Sequence, residues 1–214
     1  MRIVCISDTH TRHNKIEIPK GDMIIHAGDF CGRGDLWEAK NFFEWFGKPP
    51  HKHKICIAGN HDRIVEELPE VALSFVPPGV IYLEDKQVIV EGFKIYGSPW
   101  QPEFLNWAFN IERGKLWKKW ERIPEGTDIL ITHGPPSEGL GGILEDGVED
   151  VGDEELLDRI KVIKPQLHVC GHVHCGNGKR EKYGVTFVNA AICTEQYQPI
   201  QKPIVVDLEP RFHG

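Results

Sequence analysis

Short apolar runs separated by polar loops recur along most of the chain. They are rich in Val and Ile, which predicts β-strands. Ten such runs can be distinguished: RIVCIS, DMIIHAG, HKICIAG, VIYLE, QVIVEG, FKIYG, DILITHG, QLHVCGH, VTFVNAA and PIVVDL. Within them, segments such as DILIT and KICIA are apolar without alternation, a pattern typical of strands that are buried on both faces.

Helical periodicity is clearest in four segments between these runs, residues 35–47, 63–71, 112–122 and 152–164. Pro69 weakens the second segment, because proline cannot donate a backbone hydrogen bond within a helix. The third segment, ERGKLWKKWER, predicts an amphipathic helix with Trp117 and Trp120 facing the core. Strands and helices together indicate the α/β class, and 214 residues fit one domain spanning residues 1–214.

Composition and charge argue against several kinds of protein. The sequence is 40% hydrophobic and 27% charged, as in an ordinary globular protein. Its net charge of −7 argues against stable binding of long nucleic acids. The N-terminal MRIVCISDTH has too few consecutive apolar residues for a signal peptide, and no later apolar run is long enough to span a membrane. Because Cys5 and Cys56 lie inside strand-like runs, we expect reduced cysteines and a cytoplasmic protein without a membrane partner. The oligomeric state is not predicted.

Side chains that can bind metals follow five of the predicted strands. They are Asp8 and His10, then Asp29, then Asn60 and His61, then His133, and finally His172 and His174. The carboxyl ends of strands are where open α/β sheets bind ligands. In D-x-H and H-x-H, alternate residues of an extended segment point the same way, so each motif can place two ligands on one side.

The mixture of carboxylate, imidazole and amide groups indicates the kind of metal. It suits manganese, iron or zinc better than calcium, and two such ions about 3.5–4 Å apart form a standard hydrolytic site. We expect two divalent ions, with manganese favoured and iron, zinc, nickel or magnesium as alternatives. HVCGHVHC, residues 168–175, leaves a structural zinc site open, with Cys170, Cys175 and two histidines as its ligands.

The five blocks SDTH, AGDF, GNHD, THG and GHVH, in this order, resemble the signature of the calcineurin-like metallophosphoesterase superfamily across residues 7–174. GSPWQPEFLNWAFN, residues 97–110, and IPEGTDILITHGPP, residues 123–136, resemble its metallophosphoesterase-domain-containing subfamily. The resemblance implies two facing mixed β-sheets sandwiched by helices, with metals at the carboxyl ends of strands. It implies one metal held by Asp8, His10 and His174, a second held by Asn60, His133 and His172, and Asp29 as the bridge.

The resemblance also implies an activity. In this family a hydroxide held by both metals attacks phosphorus in line, and His61 corresponds to the proton donor to the leaving oxygen. We therefore expect a phosphoesterase that acts on small phosphoesters, with nucleotides or cyclic nucleotides as favoured diester substrates. The alternative is a non-catalytic binding scaffold, as in the retromer subunit that resembles this fold.

Asn60, Arg33 and Trp107 are candidates for contacting the substrate. GDFCGRG, residues 28–34, resembles the G-D-x-x-D-R-G block of protein phosphatases, in which the arginine contacts phosphate. Gly32 replaces the aspartate that supports the catalytic histidine in those enzymes. A contact of Arg33 with phosphate and a surface position without such a contact are therefore equally favoured. In the 97–110 loop, core packing and a substrate wall are equally favoured for four aromatic residues, Trp100, Phe104, Trp107 and Phe109. The remaining histidines are expected to be structural or solvent-facing: His13, His26, His51, His53 and His168.

Overall fold

A computed structural model describes residues 1–139, 141 and 150–211. The strands are β1 (Arg2–Ile6), β2 (Met23–Ala27), β3 (His53–Ile57), β4 (Val80–Tyr82), β5 (Lys86–Val90), β6 (Phe93–Ser98), β7 (Gln101–Pro102), β8 (Asn110–Ile111), β9 (Ile129–Thr132), β10 (Leu167–Cys170), β11 (Gly178–Lys182), β12 (Val185–Asn189) and β13 (Ile204–Asp207). The α-helices are α1 (Leu36–Phe46), α2 (Arg63–Glu67), α3 (Pro69–Leu73), α4 (Trp117–Trp120) and α5 (Glu154–Ile163). None of these helices is long and apolar enough to cross a bilayer.

Eleven of these strands form two large mixed sheets, and β7 and β8 pair in a small parallel sheet of their own. The first sheet has the order β13-β1-β2-β3-β4, in which β1 to β4 are parallel and β13 is antiparallel to β1. The second has the order β11-β12-β10-β9-β6-β5, with parallel inner strands and antiparallel pairs at both edges. In each sheet the parallel strands end at the same edge, so the loops that follow them are neighbours.

One apolar layer lies between the two sheets, and two others cover their outer faces. Ile25 and Ile57 of the first sheet are buried in one cluster with Ile131 and Val169 of the second, so the sheets pack face to face. Helices α1 to α3 cover the outer face of the first sheet. Helices α4 and α5 cover that of the second. This arrangement confirms the expected α/β fold of two facing mixed sheets between helices.

All ten predicted strands are present, and the helical segments are confirmed in part. Helix α1 follows the prediction closely and begins with a capping box formed by Asp35 and Glu38. The segment 63–71 forms two short helices that meet at Leu68, where Pro69 begins the second. The charged β11, GKREK, was not predicted because it carries no apolar residue.

The prediction that both tryptophans of segment 112–122 face the core is wrong for Trp117. Trp120 is 2% exposed and donates its indole N–H to Asp153, whereas Trp117 is 47% exposed. Gly114, with φ of 80°, interrupts the periodic pattern, and α4 is only one turn long. The single turn buries Trp120 and leaves Trp117 at its exposed start.

Candidate metal centre

The loops after β1, β2, β3, β9 and β10 meet at one edge of the molecule. Among the described residues, three groups of ligand atoms lie within 4.8 Å of one another: Asp8 with His10 and His174, Asp29 with His133 and His172, and His10 with Asp29 and His61. The Asn60 side-chain oxygen lies 2.9 Å from His133 Nε2 and 2.8 Å from His172 Nδ1. Every ligand position expected from the sequence is therefore part of this cluster.

Asp29 lies between the two halves of the cluster. Its Oδ1 is 3.4 Å from His133 Nε2, and its Oδ2 is 3.9 Å from His10 Nε2. One oxygen thus faces each half, which is the placement that a bridging carboxylate requires. Asp29 is 1% exposed, so water can satisfy little of its charge.

Backbone carbonyls orient three of the histidines. The Nδ1 atoms of His10, His133 and His174 lie 3.1, 2.8 and 3.0 Å from the carbonyl oxygens of Cys31, Ala27 and Thr194, respectively. A carbonyl oxygen can only accept a hydrogen bond, so each Nδ1 carries the proton. In the neutral rings the Nε2 lone pairs are then directed into the cluster, as second-shell bonding produces in metal-binding histidines.

The spacing of these lone pairs fits a cation. His10 Nε2 and His174 Nε2 lie 3.0 Å apart, so at most one of these two nitrogens carries a proton, and both can be ligands of one ion. Two ligands at about 2.1 Å from one ion, arranged at right angles, are separated by about 3 Å. Because carboxylate and imidazole groups suit transition-metal ions, the residues present fit a divalent metal in each half of the cluster.

Electrostatics within the cluster lead to the same conclusion. Burial opposes the charge on Asp8, but His174 and His133 lower the pKa of its carboxyl to about 2. Burial lowers the pKa values of His10 and His172 to about 4, which keeps both rings neutral. Burial also opposes the charge on His133, yet Asp29 raises its pKa to about 9. The carboxylates therefore require positive charge, which a metal ion can supply in place of a proton.

Glycines allow the ligand loops to approach each other closely. A Cβ atom at Gly171 would lie 2.1 Å from Asp8 Oδ2, and one at Gly59 would lie 2.4 Å from Asp29 Oδ1. Four of the candidate ligands themselves adopt the left-handed backbone region: Asp8, His10, Asp29 and His172, with φ of 51°, 40°, 57° and 65°. Such conformations cost of order 1–3 kcal/mol each and cluster at functional sites.

His61 is oriented by a backbone group and not by a carboxylate. Its Nδ1 lies 2.7 Å from the carbonyl oxygen of Gly32, the residue that stands where protein phosphatases carry aspartate. The backbone N–H of His61 donates to Asp29 Oδ1 at 2.7 Å. Trp107 stacks on the imidazole with centroids 4.1 Å apart and an interplanar angle of 26°. The ring is therefore held in one position beside the cluster.

The 97–110 loop divides between core and site. Trp100 and Phe109 pack in the layer on the outer face of the first sheet. Trp107 contacts His61, and Phe104, which is 53% exposed, lies 6.1 Å from the His172 ring. Core packing is therefore confirmed for Trp100 and Phe109, whereas Trp107 and Phe104 lie beside the candidate metal ligands.

Two residues near the cluster were not identified from the sequence. Asp62 is fully buried, and its carboxylate accepts backbone N–H groups from Asp29, Cys31 and Gly59. It thus joins the loops after β2 and β3. The GNHD block contains Asp62, but backbone donors leave no signal in a sequence. Tyr197, in a loop with no motif, lies 4.9 Å from the His10 ring.

Other sequence candidates lie outside the cluster. Arg33 has an exposed side chain, and its backbone N–H donates to Glu38. Cys170 is buried in β10 and Cys175 is exposed, and among the described residues no cysteine belongs to a group with metal-binding geometry. The two histidines that a zinc site at these cysteines would need lie instead with Asp8 and Asp29. His26 and His168 are buried and contact the Thr9 and Thr132 hydroxyl groups.

Comparison with known proteins agrees with this geometry. Residues 1–176 match the model of the calcineurin-like phosphoesterase family. The human protein named metallophosphoesterase domain-containing protein 1 is 44% identical over 231 residues, covering 97% of this chain and 71% of that protein. The UPF0046 protein C25E10.12 of Caenorhabditis elegans is 38% identical, with 97% and 81% covered. The solved structure of TT1561 from Thermus thermophilus shares the fold, with a TM-score of 0.61, 15% identity and 88% of each chain covered.

The chain belongs to the calcineurin-like phosphoesterase family. Membership and the clustered histidine and aspartate side chains together support a metal-dependent phosphoesterase.

Proposed function

We propose that this protein is a dinuclear metal-dependent phosphodiesterase that hydrolyses small phosphoesters, with nucleotides or cyclic nucleotides as its favoured substrates. The observation that carries the proposal is the placement of Asp29, whose two oxygens face two separate groups of ligands. A single structural metal would need only one of these groups.

Each group contains enough ligands for one ion. Asp8, His10 and His174 would hold the first ion, and Asn60, His133 and His172 would hold the second, with Asp29 shared. When bound, the two ions supply a nucleophile from water at neutral pH and neutralise charge on the phosphoryl oxygens. Manganese is the favoured metal, and iron, zinc, nickel and magnesium are the alternatives.

His61 would donate the proton that the leaving oxygen needs. Its Nδ1 is directed to the Gly32 carbonyl, so Nε2 is the nitrogen that can deliver a proton. The ring lies 4.6 Å from that of His10, which places it at the border of the metal centre. Histidine is the side chain that most often serves as a general acid or base in catalysis.

The surroundings of the centre support a small substrate with a flat ring. Phe104 and the partly exposed Trp107 both contact histidines of the centre, and aromatic side chains of this kind stack on nucleobases. The net charge of −7 disfavours long polyanions. We infer that the substrate is a small nucleotide and that the protein acts in the cytoplasm as one domain spanning residues 1–214. Asn60 and the exposed Arg33 would contact the phosphate of the substrate.

A substrate panel tests the proposal. Metal-free protein is reloaded separately with each of the five metals. It is then assayed on bis-p-nitrophenyl phosphate, p-nitrophenyl phosphate, 5′-mononucleotides, 2′,3′- and 3′,5′-cyclic nucleotides, and short oligonucleotides. We expect turnover of diesters that is greatest with manganese and absent without metal. If no metal supports turnover of any ester although the ions bind tightly, the protein is a non-catalytic scaffold.

A further inference from the structure

Tyr197 lies against the metal centre although no sequence motif contains it. Its ring centroid is 4.9 Å from that of His10, 5.6 Å from that of His174 and 6.3 Å from that of His61. The side chain is nevertheless 43% exposed, so part of the ring remains open to a ligand.

The backbone holds Tyr197 in this position at a cost. Its φ is 56°, in the left-handed region that tyrosine rarely adopts. The Tyr197 N–H donates to the Thr194 carbonyl oxygen at 2.8 Å, and the same oxygen lies 3.0 Å from His174 Nδ1. Gln201 donates from its side chain to the carbonyl oxygens of His174 and Cys193. The turn that carries Tyr197 is thus attached to a candidate metal ligand.

Tyr197 and Trp107 both border His61. Trp107 covers one face of the imidazole, while Tyr197 lies beside His10, which contacts the His61 ring at 4.6 Å. A leaving group that receives its proton from His61 must lie close to that ring, and therefore close to these two aromatic side chains.

We propose that Tyr197 contacts the leaving group and, with Trp107, selects phosphoesters whose departing alcohol carries a flat aromatic or heterocyclic ring. The inference rests on the proposed function. In the reaction a water oxygen forms the new bond to phosphorus and its proton passes to solvent, while the bond from phosphorus to the alcohol oxygen breaks with its electron pair. That alcohol oxygen takes a proton from His61, which regains one from solvent.

A mixed diester tests the inference by internal competition. In benzyl ethyl phosphate, benzyl alcohol and ethanol are leaving groups of similar basicity, and they differ mainly in the ring. The ratio of the two alcohols released does not depend on enzyme concentration or metal content. The wild-type protein should release benzyl alcohol in about 10-fold excess, as expected for one aromatic stacking contact.

The main variant is Tyr197→Asn, because asparagine tolerates the left-handed backbone. Tyr183→Asn is a matched control, since Tyr183 is 40% exposed and also has φ of 56° but contacts Glu138 at another part of the surface. Tyr197→Asn should lower the product ratio several-fold, and the preference that remains is the part that Trp107 supplies. Tyr183→Asn and Tyr197→Phe should keep the wild-type ratio, because both retain the ring at position 197.

The outcomes separate this inference from the proposed function. An active Tyr197→Asn variant with the wild-type ratio, or an equal change in Tyr183→Asn, would overturn the role of Tyr197 alone. Loss of the preference in Tyr197→Phe would overturn the assignment to the ring. If the protein cleaves monoesters but not the diester, a mixture of benzyl phosphate and ethyl phosphate is used in place of the diester. The same ratio of benzyl alcohol to ethanol is then expected. A wild-type protein that releases neither alcohol from any of these esters would overturn both proposals.

Discussion

Replacing His61 with alanine tests the proposed chemistry most directly. The substitution removes the imidazole, its bond to the Gly32 carbonyl and its stacking on Trp107. It keeps the backbone N–H that donates to Asp29 Oδ1 at 2.7 Å. Because the proposed bridging position of Asp29 is thereby retained, and His61 is not one of the seven proposed ligands, we expect both ions to remain bound.

The size of the effect follows from what the ring does. General acid catalysis contributes typically 10²–10⁴-fold. The hydrogen bond and the stacking contact already fix the His61 ring before substrate binds, which favours a value of about 10³-fold, or about 4 kcal/mol of transition-state stabilisation. This loss applies to an alkyl or nucleoside ester, whose alkoxide is a poor leaving group. Nitrophenolate departs without a proton, so a p-nitrophenyl ester should lose less than about tenfold.

The assay compares kcat/KM for the two kinds of ester in the variant and the wild type, together with metal content by elemental analysis. His53→Ala is a suitable control, because His53 lies at the opposite end of β3 and contacts Glu91 away from the centre. It should leave both rates unchanged. Equal losses on the two esters with both metals bound would refute the assignment of His61 as proton donor, and would indicate that it orients the phosphate.

Three further substitutions test other parts of the site. Asp29→Asn should be the most damaging conservative change, because an amide cannot supply the charge that both ions require; retention of both metals with near-normal turnover would remove Asp29 from the bridging role. His172→Ala and His174→Ala should each lower the occupancy of a different ion, and elemental analysis that shows equal loss of both would contradict the assignment. Trp107→Ala should slow the alkyl ester by less than His61→Ala does, because it removes the stacking that holds the imidazole; Trp107→Phe should restore the alkyl-ester rate, and Trp37→Ala, at a 69% exposed position, should leave it unchanged. A Trp107→Ala variant with an unchanged alkyl-ester rate would exclude a role in positioning His61.

The metal ligands could be predicted from the sequence because each one directly follows an apolar run. Asp8 is two residues beyond the end of β1, and His172 is two residues beyond the end of β10. Parallel strands of one sheet end at a common edge. Residues that directly follow such strands in the sequence are therefore expected to lie together at that edge. The ten strand-like runs were long and apolar enough to make that step reliable.

Other features depend on contacts between distant segments, and no local pattern reports them. The Gly32 carbonyl supports His61 through a backbone atom that every residue possesses. Tyr197 reaches the centre through a turn whose hydrogen bonds involve His174, over twenty residues earlier. Trp117 was placed in the core because its spacing from Trp120 fits a helix, but one turn was too short to bury both.

The proposed metal ligands come from both sheets. The supply of metal would therefore affect how long the folded protein survives in the cell. Asp8 and Asp29 extend from the first sheet, whereas His133 and His174 extend from the second, so each bound ion would join the sheets at their shared edge. A ligand that binds only the folded state at 100 times its Kd stabilises that state by about 2.7 kcal/mol. In a cell starved of metal, the sheets would separate at this edge more often and expose it to proteases. The abundance of the protein would then follow the availability of its metal.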